Sequence, residues 1–430
     1  MACIIAAPSS GSGKTLLCVA LAAWAQKQGL RLQPFKIGPD YLDAQQLTAA
    51  SGLRCRNLDL LLCGSSWVRD CFHSLGGKAD LALVEGVMGL FDGLGPSSKG
   101  STAEIAAQLR LPIVLVVDAS GQANSIAALV RGFIAQDPNI SFAGVVLNRI
   151  NTIRHKELLT EVLDGISVRV LGCLPSSPSL KMESRHLGLS PAHEQQIESR
   201  LDMWSSFAEE NLDLVAFRSI LKPPIQFRNP IDELKRHRVS SLSQDLPVAV
   251  ADDDAFHFNY PETKDCLEAL GMPVISWRPL DDQPIPIEAR GVIIPGGFPE
   301  QHAEQLSQCF KAINSLKECF ARKPIYAECG GMLFLGKTLC DFEGRVHPMS
   351  GILPFTARRG SLHVGYRKME GIRDSLVVKK GEILVGHEFH RWELSRFSKK
   401  SVLTPDNNYQ MNRNSPDKAW QISGWNIDKK

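Results

Sequence analysis

Ala7-Pro-Ser-Ser-Gly-Ser-Gly-Lys-Thr15 decides how the first half of the chain folds. It follows a short apolar, β-branched run over residues 3–7 and opens a helical pattern over 15–28. A glycine-rich turn that ends in Lys-Thr between a strand and a helix is a phosphate-binding loop. Its backbone N–H groups cradle phosphates at the helix N-terminus, the lysine reaches the β- and γ-phosphates, and the hydroxyl holds Mg²⁺. The expected ATP contacts are therefore Ser10, Gly11, Ser12, Gly13, Lys14 and Thr15. Pro8 stands where the usual first glycine would be, so the loop is a variant of G-x-x-x-x-G-K-[ST].

Working outward, apolar runs at 81–84, 113–117, 144–147 and 168–174 alternate with helical patterns such as 102–109. Fully apolar strands alternating with helices predict a mainly parallel sheet covered on both faces. Ligands of such sheets bind at the C-terminal ends of the strands. Two stretches fall there. Phe35-Lys-Ile-Gly-Pro-Asp-Tyr-Leu-Asp43 packs a cation, a rigid turn and two carboxylates into nine positions. Leu83-Val-Glu-Gly-Val-Met-Gly-Leu-Phe-Asp-Gly93 ends a buried strand with an acid. Asp40 and Glu85 join Thr15 as the expected Mg²⁺ ligands, while Lys36, Tyr41, Asp43 and Asp92 are candidates for the substrate side.

A second strand series opens at 247–251 and continues at 274–277, 291–294 and 325–327. Between the two series, residues 194–221 read as helical, and Lys222-Pro-Pro and the polar stretch after it read as a break. The expected plan is α/β throughout: a P-loop domain over 1–190, a helical and polar linker over 191–246, and a second α/β domain over 247–430. In that second domain, Pro324-Ile-Tyr-Ala-Glu-Cys-Gly-Gly-Met-Leu-Phe-Leu335 is a strand, a cysteine, two glycines and a helix. That is the layout of a nucleophile elbow, so Cys329 is expected as a nucleophile, its thiolate favoured by the helix N-terminus. Ile293-Ile-Pro-Gly-Gly-Phe-Pro-Glu300 supplies backbone N–H groups for an oxyanion hole built from Gly297 and Gly330.

The 430 residues suffice for two or three domains, and Lys plus Arg (48) nearly balance Asp plus Glu (46). With a formal charge of +2 there is no electrostatic reason to expect a nucleic acid or an anionic membrane as partner. No two of the eleven cysteines form a C-x-x-C pair, which removes support for a zinc ribbon or thioredoxin-like motif. Their odd number fits a reducing compartment. No apolar run approaches the ~18 residues of a membrane-spanning helix, and the start reads as a strand rather than a signal peptide. A soluble, cytoplasmic protein is the expectation.

Taken together, these blocks resemble the cobyrinate a,c-diamide synthase family of cobalamin (vitamin B12) biosynthesis over essentially the whole length. Besides the segments quoted, Arg185-His-Leu-Gly-Leu189 with Pro191 and Glu194, Gly365-Tyr-Arg367 and Gly386-His-Glu-Phe-His390 match. The resemblance implies a dethiobiotin-synthetase-like ATP domain fused to a class I glutamine amidotransferase domain. It implies ATP and Mg²⁺, acyl phosphates on the a and c carboxylates of cobyrinate, and ammonia from glutamine released at Cys329. His387 and His390 join the substrate-side candidates on this ground, and a homodimer is among the expectations. Sibling reactions on hydrogenobyrinate, or a cobyric acid synthase, are the near alternatives. A deviant-Walker ATPase switch is the distant one, and it leaves Cys329 unexplained.

Two departures accompany the resemblance. Gln45-Gln-Leu-Thr48 stands where the family has a histidine, and the sequence reaches Trp425-Asn-Ile-Asp-Lys-Lys430 without the family's C-terminal, histidine-containing apolar run. No residue is assigned as the base for Cys329, and the expectation is weak hydrolysis of glutamine with ammonium-dependent amidation retained.

Overall fold

The computed structural model describes residues 2–180, 182, 184–185, 188–189, 196–237, 245–371, 374–396 and 420–422. His186, Leu187, Pro191 and Glu194 of the matching blocks, and residues 423–430, lie outside these. The chain divides into two compact units, Met1–Asp232 and Glu233–Lys430.

The first unit is built on a seven-stranded sheet whose ladders are all parallel. Its strands are β1 (Cys3–Ala6), β2 (Leu32–Ile37), β3 (Arg56–Leu58), β4 (Leu81–Glu85), β5 (Ile113–Asp118), β6 (Phe142–Asn148) and β7 (Val170–Leu174). They lie in the order β3-β2-β4-β1-β5-β6-β7. β1 is central, and the chain winds to one side of it first and the other side later. The strand ends nearest this reversal are where a ligand crevice forms.

Helix α1 (Lys14–Lys27) follows β1 and is buried from Leu17 through Ala25. A helix apolar all round needs cover on both sides. The sheet covers one side, and α2 (Leu42–Ser51), α3 (Leu201–Asn211) and α4 (Leu214–Ile220) lie in the same core with Trp204, Phe207 and Phe217. The helical stretch expected in the linker is thus packed into the first unit, and Ala82 N donates to Leu221 O at 2.8 Å. The boundary falls at 232/233.

The second unit has a four-stranded parallel sheet of β8 (Val248–Ala251), β9 (Val274–Trp277), β10 (Gly291–Ile294) and β11 (Ile325–Ala327), ordered β9-β8-β10-β11. The short helix α5 (Gly330–Leu335) follows β11. A second sheet contains a long antiparallel ribbon, β12 (Phe355–Gly371) and β13 (Ile383–Arg396), which the sequence pattern did not announce.

Candidate functional sites

In the first unit the loop after β1 is held from beneath by β6. Asn148 Nδ2 donates to Ser12 O at 2.9 Å, and Ser12 Oγ donates to Ser9 O at 3.0 Å. Gly13 has φ 108°, and a Cβ there would lie 2.3 Å from Asn148 Nδ2, so the position requires glycine. Lys14 is 8% exposed and donates from Nζ to Met88 O at 2.6 Å, across to the loop after β4. Burial, and then Lys36, lower its pKa.

Thr15 opens α1 and donates from Oγ1 to Glu85 Oε1 at 2.6 Å. Glu85 ends β4, fully buried, and Lys36 projects from β2 beside it. The Lys36 ammonium lies 2.9 Å from Glu85 Oε1, 2.5 Å from Asp43 Oδ2 and 3.1 Å from Gly86 O. Burial alone would drive Lys36 toward neutrality, but Asp43 and Glu85 outweigh it and hold the ammonium protonated. Burial raises Glu85 against the pull of Lys36. Asp40 is pushed up to about 7 by burial and then by Asp43, while its Oδ1 accepts from Asp43 N at 3.0 Å. Tyr41 sits at the N-cap of α2. Asp92 pins its own turn, its Oδ2 accepting from Gly89 N at 2.8 Å.

Five expected residues thus converge: Lys14, Thr15, Lys36, Asp43 and Glu85. Asn148 and the Met88 carbonyl also hold the site and were not singled out. A polar residue closing the apolar run Val145-Val-Leu-Asn148 is the signal that could have found Asn148.

The geometry suits Mg²⁺ bound with phosphates. Glu85 Oε2 is buried without a hydrogen-bond partner, and the Thr15 hydroxyl stands on the same carboxyl group. Among the described residues no group of three or more His, Cys, Asp or Glu is placed to hold a metal. An ion here relies on few protein ligands plus phosphate oxygens and water, which is how Mg²⁺ is commonly held.

In the second unit Cys329 lies between β11 and α5 with φ 48° and ψ −116°. An L-residue held there is strained and needs surroundings that fix it. Those surroundings are glycine contacts too close for side chains. A Cβ on Gly331 would lie 2.1 Å from Ile294 O, and one on Gly330 would lie 2.8 Å from Pro299 Cδ and 3.1 Å from Gly297 N. Gly297 is itself confined, since a Cβ there would meet Ala255 O at 2.2 Å. Gly297 and Gly330, the expected oxyanion-hole pair, are therefore brought against one another beside the cysteine. Asp253 fixes the loop that presses on Gly297: its Oδ1 accepts from Ala255 N at 3.0 Å and Phe256 N at 3.2 Å, and its Oδ2 from Leu280 N at 2.8 Å.

One expectation fails here. The pull of the helix N-terminus toward the thiolate is outweighed. The Cys329 side chain opens to solvent but lies among packed elements that displace bulk water. That desolvation, and then the Glu300 carboxylate, push the thiol up to about 11 against the lowering effect of the Gly330 N–H. Glu328 adds a smaller push in the same upward direction.

His387 and His390 lie on the β12–β13 ribbon. His387 stands edge-on to Tyr366 at 5.0 Å, and His390 stacks on His363 at 5.2 Å with Nδ1 3.1 Å from Trp392 O. Between the two histidines, Glu388 pairs with Arg367.

Residues 3–189 match the family described as CobQ/CobB/MinD/ParA nucleotide binding domain, and residues 247–423 match the CobB/CobQ-like glutamine amidotransferase domain. The chain is 35% identical to the cobyrinate a,c-diamide synthase of Caldanaerobacter subterraneus subsp. tengcongensis, over 97% of this chain and 91% of that one. It is 37% identical to the cobyrinate a,c-diamide synthase of a Synechocystis species, over 98% and 88% respectively. The chain belongs to the cobyrinate a,c-diamide synthase family. A hydrogenobyrinate a,c-diamide synthase from Streptomyces coelicolor is also 37% identical, over 90% of this chain and 86% of that one. Relatives named for cobyrinate and for hydrogenobyrinate are therefore about equally similar to it. The family places a nucleotide-binding domain where Lys14 and Thr15 lie and a glutamine amidotransferase domain around Cys329. No helix among the described residues is long and apolar enough to cross a membrane.

Proposed function

We propose that the chain amidates the a and c carboxylates of cobyrinate in cobalamin biosynthesis, through acyl phosphates made from ATP, with glutamine or ammonia as nitrogen donor. The observation that carries this reading is the pairing in one chain of two half-reactions: a phosphate loop joined to a buried acid–lysine cluster, and a strained cysteine elbow closed in by glycines.

In the first unit, the N–H groups of residues 10–15 and the Lys14 ammonium take the ATP phosphates, with Lys14 leaving Met88 O to do so. Thr15, Glu85 and Asp40 would hold Mg²⁺, which would supply positive charge against that building on the transferring phosphoryl group. Lys36 keeps two carboxylates compatible in a buried space and stands beside the acceptor side of the site, with Tyr41, Asp43 and Asp92 near the same strand ends. In the second unit, the Cys329 sulfur adds to the glutamine carboxamide carbon, and the N–H groups of Gly297 and Gly330 receive the oxyanion. The adduct collapses with cleavage of its C–N bond, the thiol proton leaves on the departing ammonia, and water hydrolyses the remaining glutamyl thioester to glutamate and free Cys329. The released ammonia displaces phosphate from the activated carboxylate to give the amide. His387 and His390, on the ribbon of the second unit, stay substrate-side candidates on the family resemblance alone. A homodimer and a cytoplasmic setting complete the reading.

The substrate test measures ATP hydrolysis with cobyrinic acid, with hydrogenobyrinic acid and with no acceptor. Stimulation by cobyrinic acid above both other arms is expected. Stimulation by hydrogenobyrinic acid alone transfers the assignment to the cobalt-free sibling. ATP turnover indifferent to either acceptor refutes the amidoligase reading and favours a switch ATPase.

A further inference from the structure

The carboxyl group of Glu300 has no role in the scheme above, and its surroundings are unusual. It sits in a single helical turn, Pro299–Gln301, that packs on the elbow, with Pro299 Cδ 2.8 Å from where a Gly330 Cβ would be. Glu300 is 5% exposed and makes no ion pair with any described lysine, arginine or histidine, and only its own backbone N–H donates to it. A buried carboxyl without a cation is expensive to ionise, and burial pushes this one up to about 7. Its charge is nonetheless felt at the Cys329 thiol. Glu328, the other carboxylate at the elbow, is engaged: Tyr326 Oη donates to its Oε2 at 3.1 Å.

Fold stability does not explain such a residue, since a neutral side chain of the same shape would avoid the desolvation penalty. A ligand that brings the missing cation does. The donor proposed for this site, glutamine, carries an α-ammonium group a few bonds from the carboxamide that Cys329 attacks. We infer that Glu300 is the specificity residue of the glutamine site, receiving the substrate's α-ammonium group beside Cys329. This rests on the glutaminase reading of the second unit. Glu300 would then separate glutamine from other primary amides, because an amide without the ammonium leaves the carboxylate buried and unpaired.

The test uses the full chain and two reagents for Cys329. Iodoacetamide is small and neutral and reports on the thiol alone. The glutamine analogue 6-diazo-5-oxo-L-norleucine alkylates the same sulfur but carries the α-ammonium. Each is applied with and without glutamine or glutaramate, the last being glutamine without its amino group. Wild type is expected to react with the diazo analogue and to be protected by glutamine well below the concentration at which glutaramate protects. In E300Q, labelling by the diazo analogue and protection by glutamine should each fall about 10- to 100-fold, the loss typical of one charge-assisted contact. Iodoacetamide labelling should hold or rise, because removing the Glu300 charge eases ionisation of the Cys329 thiol, and protection by glutaramate should stay within twofold, which also reports an intact elbow; E300D should fall between wild type and E300Q in both glutamine readouts.

If E300Q still prefers glutamine to glutaramate as wild type does, the inference is wrong. If iodoacetamide labelling changes in step with the diazo analogue, Glu300 acts on the thiol and the inference is equally wrong. Should E300Q not fold, equal protection of wild type by glutamine and glutaramate is itself sufficient to overturn it. Failure of the underlying reading looks different: wild type would then react with iodoacetamide but not with the diazo analogue at all.

Discussion

Replacing Lys36 with methionine tests the electrostatic account of the first unit. K36M keeps most of the aliphatic stem and removes only the charge. Lys36 is 1% exposed and lies within hydrogen-bonding distance of Asp43 and the fully buried Glu85. Breaking a buried ion pair by deleting one partner is destabilising by about 3–5 kcal/mol, because the remaining charge stays buried. Domains are commonly stable by about 5–15 kcal/mol, so the first unit should lose a large fraction of its stability at pH 8. The loss should shrink on acidification. Glu85 is already raised by burial in the folded state, and without Lys36 it rises further, while in the unfolded chain it titrates near 4.5. Between those two values the folded state binds more protons than the unfolded state, so lowering pH favours folding. Each further unit of upward shift in the variant returns about 1.4 kcal/mol on full protonation. Urea unfolding of wild type and K36M at pH 8 and pH 5.5, followed by tryptophan fluorescence, reads this out. Trp24 and Trp204 report the affected core, and Trp277 serves as a reference in the second unit. A deficit under about 1 kcal/mol at pH 8, or one that grows as pH falls, would refute the reasoning.

Lys14→Ala should abolish synthesis with glutamine and with ammonium alike, since both donors need the acyl phosphate; full ammonium-dependent activity in this variant contradicts the role of the loop. Glu85→Gln should raise the Mg²⁺ concentration needed for half-maximal ATP turnover and lower the maximal rate, and an unchanged titration with an unchanged rate returns Glu85 to a structural part. Gly331→Ala drives a methyl group to within 2.1 Å of Ile294 O. Because that contact is backbone, the elbow must shift, and labelling of Cys329 by 6-diazo-5-oxo-L-norleucine should fall by at least about tenfold while ATP turnover in the first unit persists.

What the sequence disclosed follows a physical line. Strands buried on both faces, such as β1, β4 and β5, are continuous apolar runs, and they were legible as such. Strand β2 is equally buried, yet Leu32-Gln-Pro-Phe-Lys-Ile37 does not read as a strand because Gln33, Pro34 and Lys36 interrupt it. Its burial depends on partners elsewhere: Gln33 Nε2 donates to Arg54 O at 3.0 Å, and Lys36 finds its acids on β4 and α2. The helical stretch 201–220 was visible, but its attachment to α1 was not. A helix pattern shows that one face is apolar without saying which neighbour will cover it.

The same distinction governs the two sites. Phosphate binding and the nucleophile elbow are local devices, written in consecutive residues whose glycines are demanded by backbone contacts, and both were readable. Electrostatic state is a non-local property. Lys36 reads in the sequence as a substrate-side cation beside a turn, and it is a buried ion at the junction of β2, β4 and α2. Cys329 carried a local signal for a lowered pKa, the helix N-terminus, and that signal was overridden by desolvation and by Glu300, which is 29 positions away in sequence and packed against the elbow in space. In a site of this kind, residue order identifies the groups that react. The charge each group carries before substrate arrives is set by side chains that only the fold brings alongside. An elbow thiol held neutral beside an unpaired carboxyl group is an incomplete electrostatic arrangement, and a substrate that brings its own ammonium group completes it.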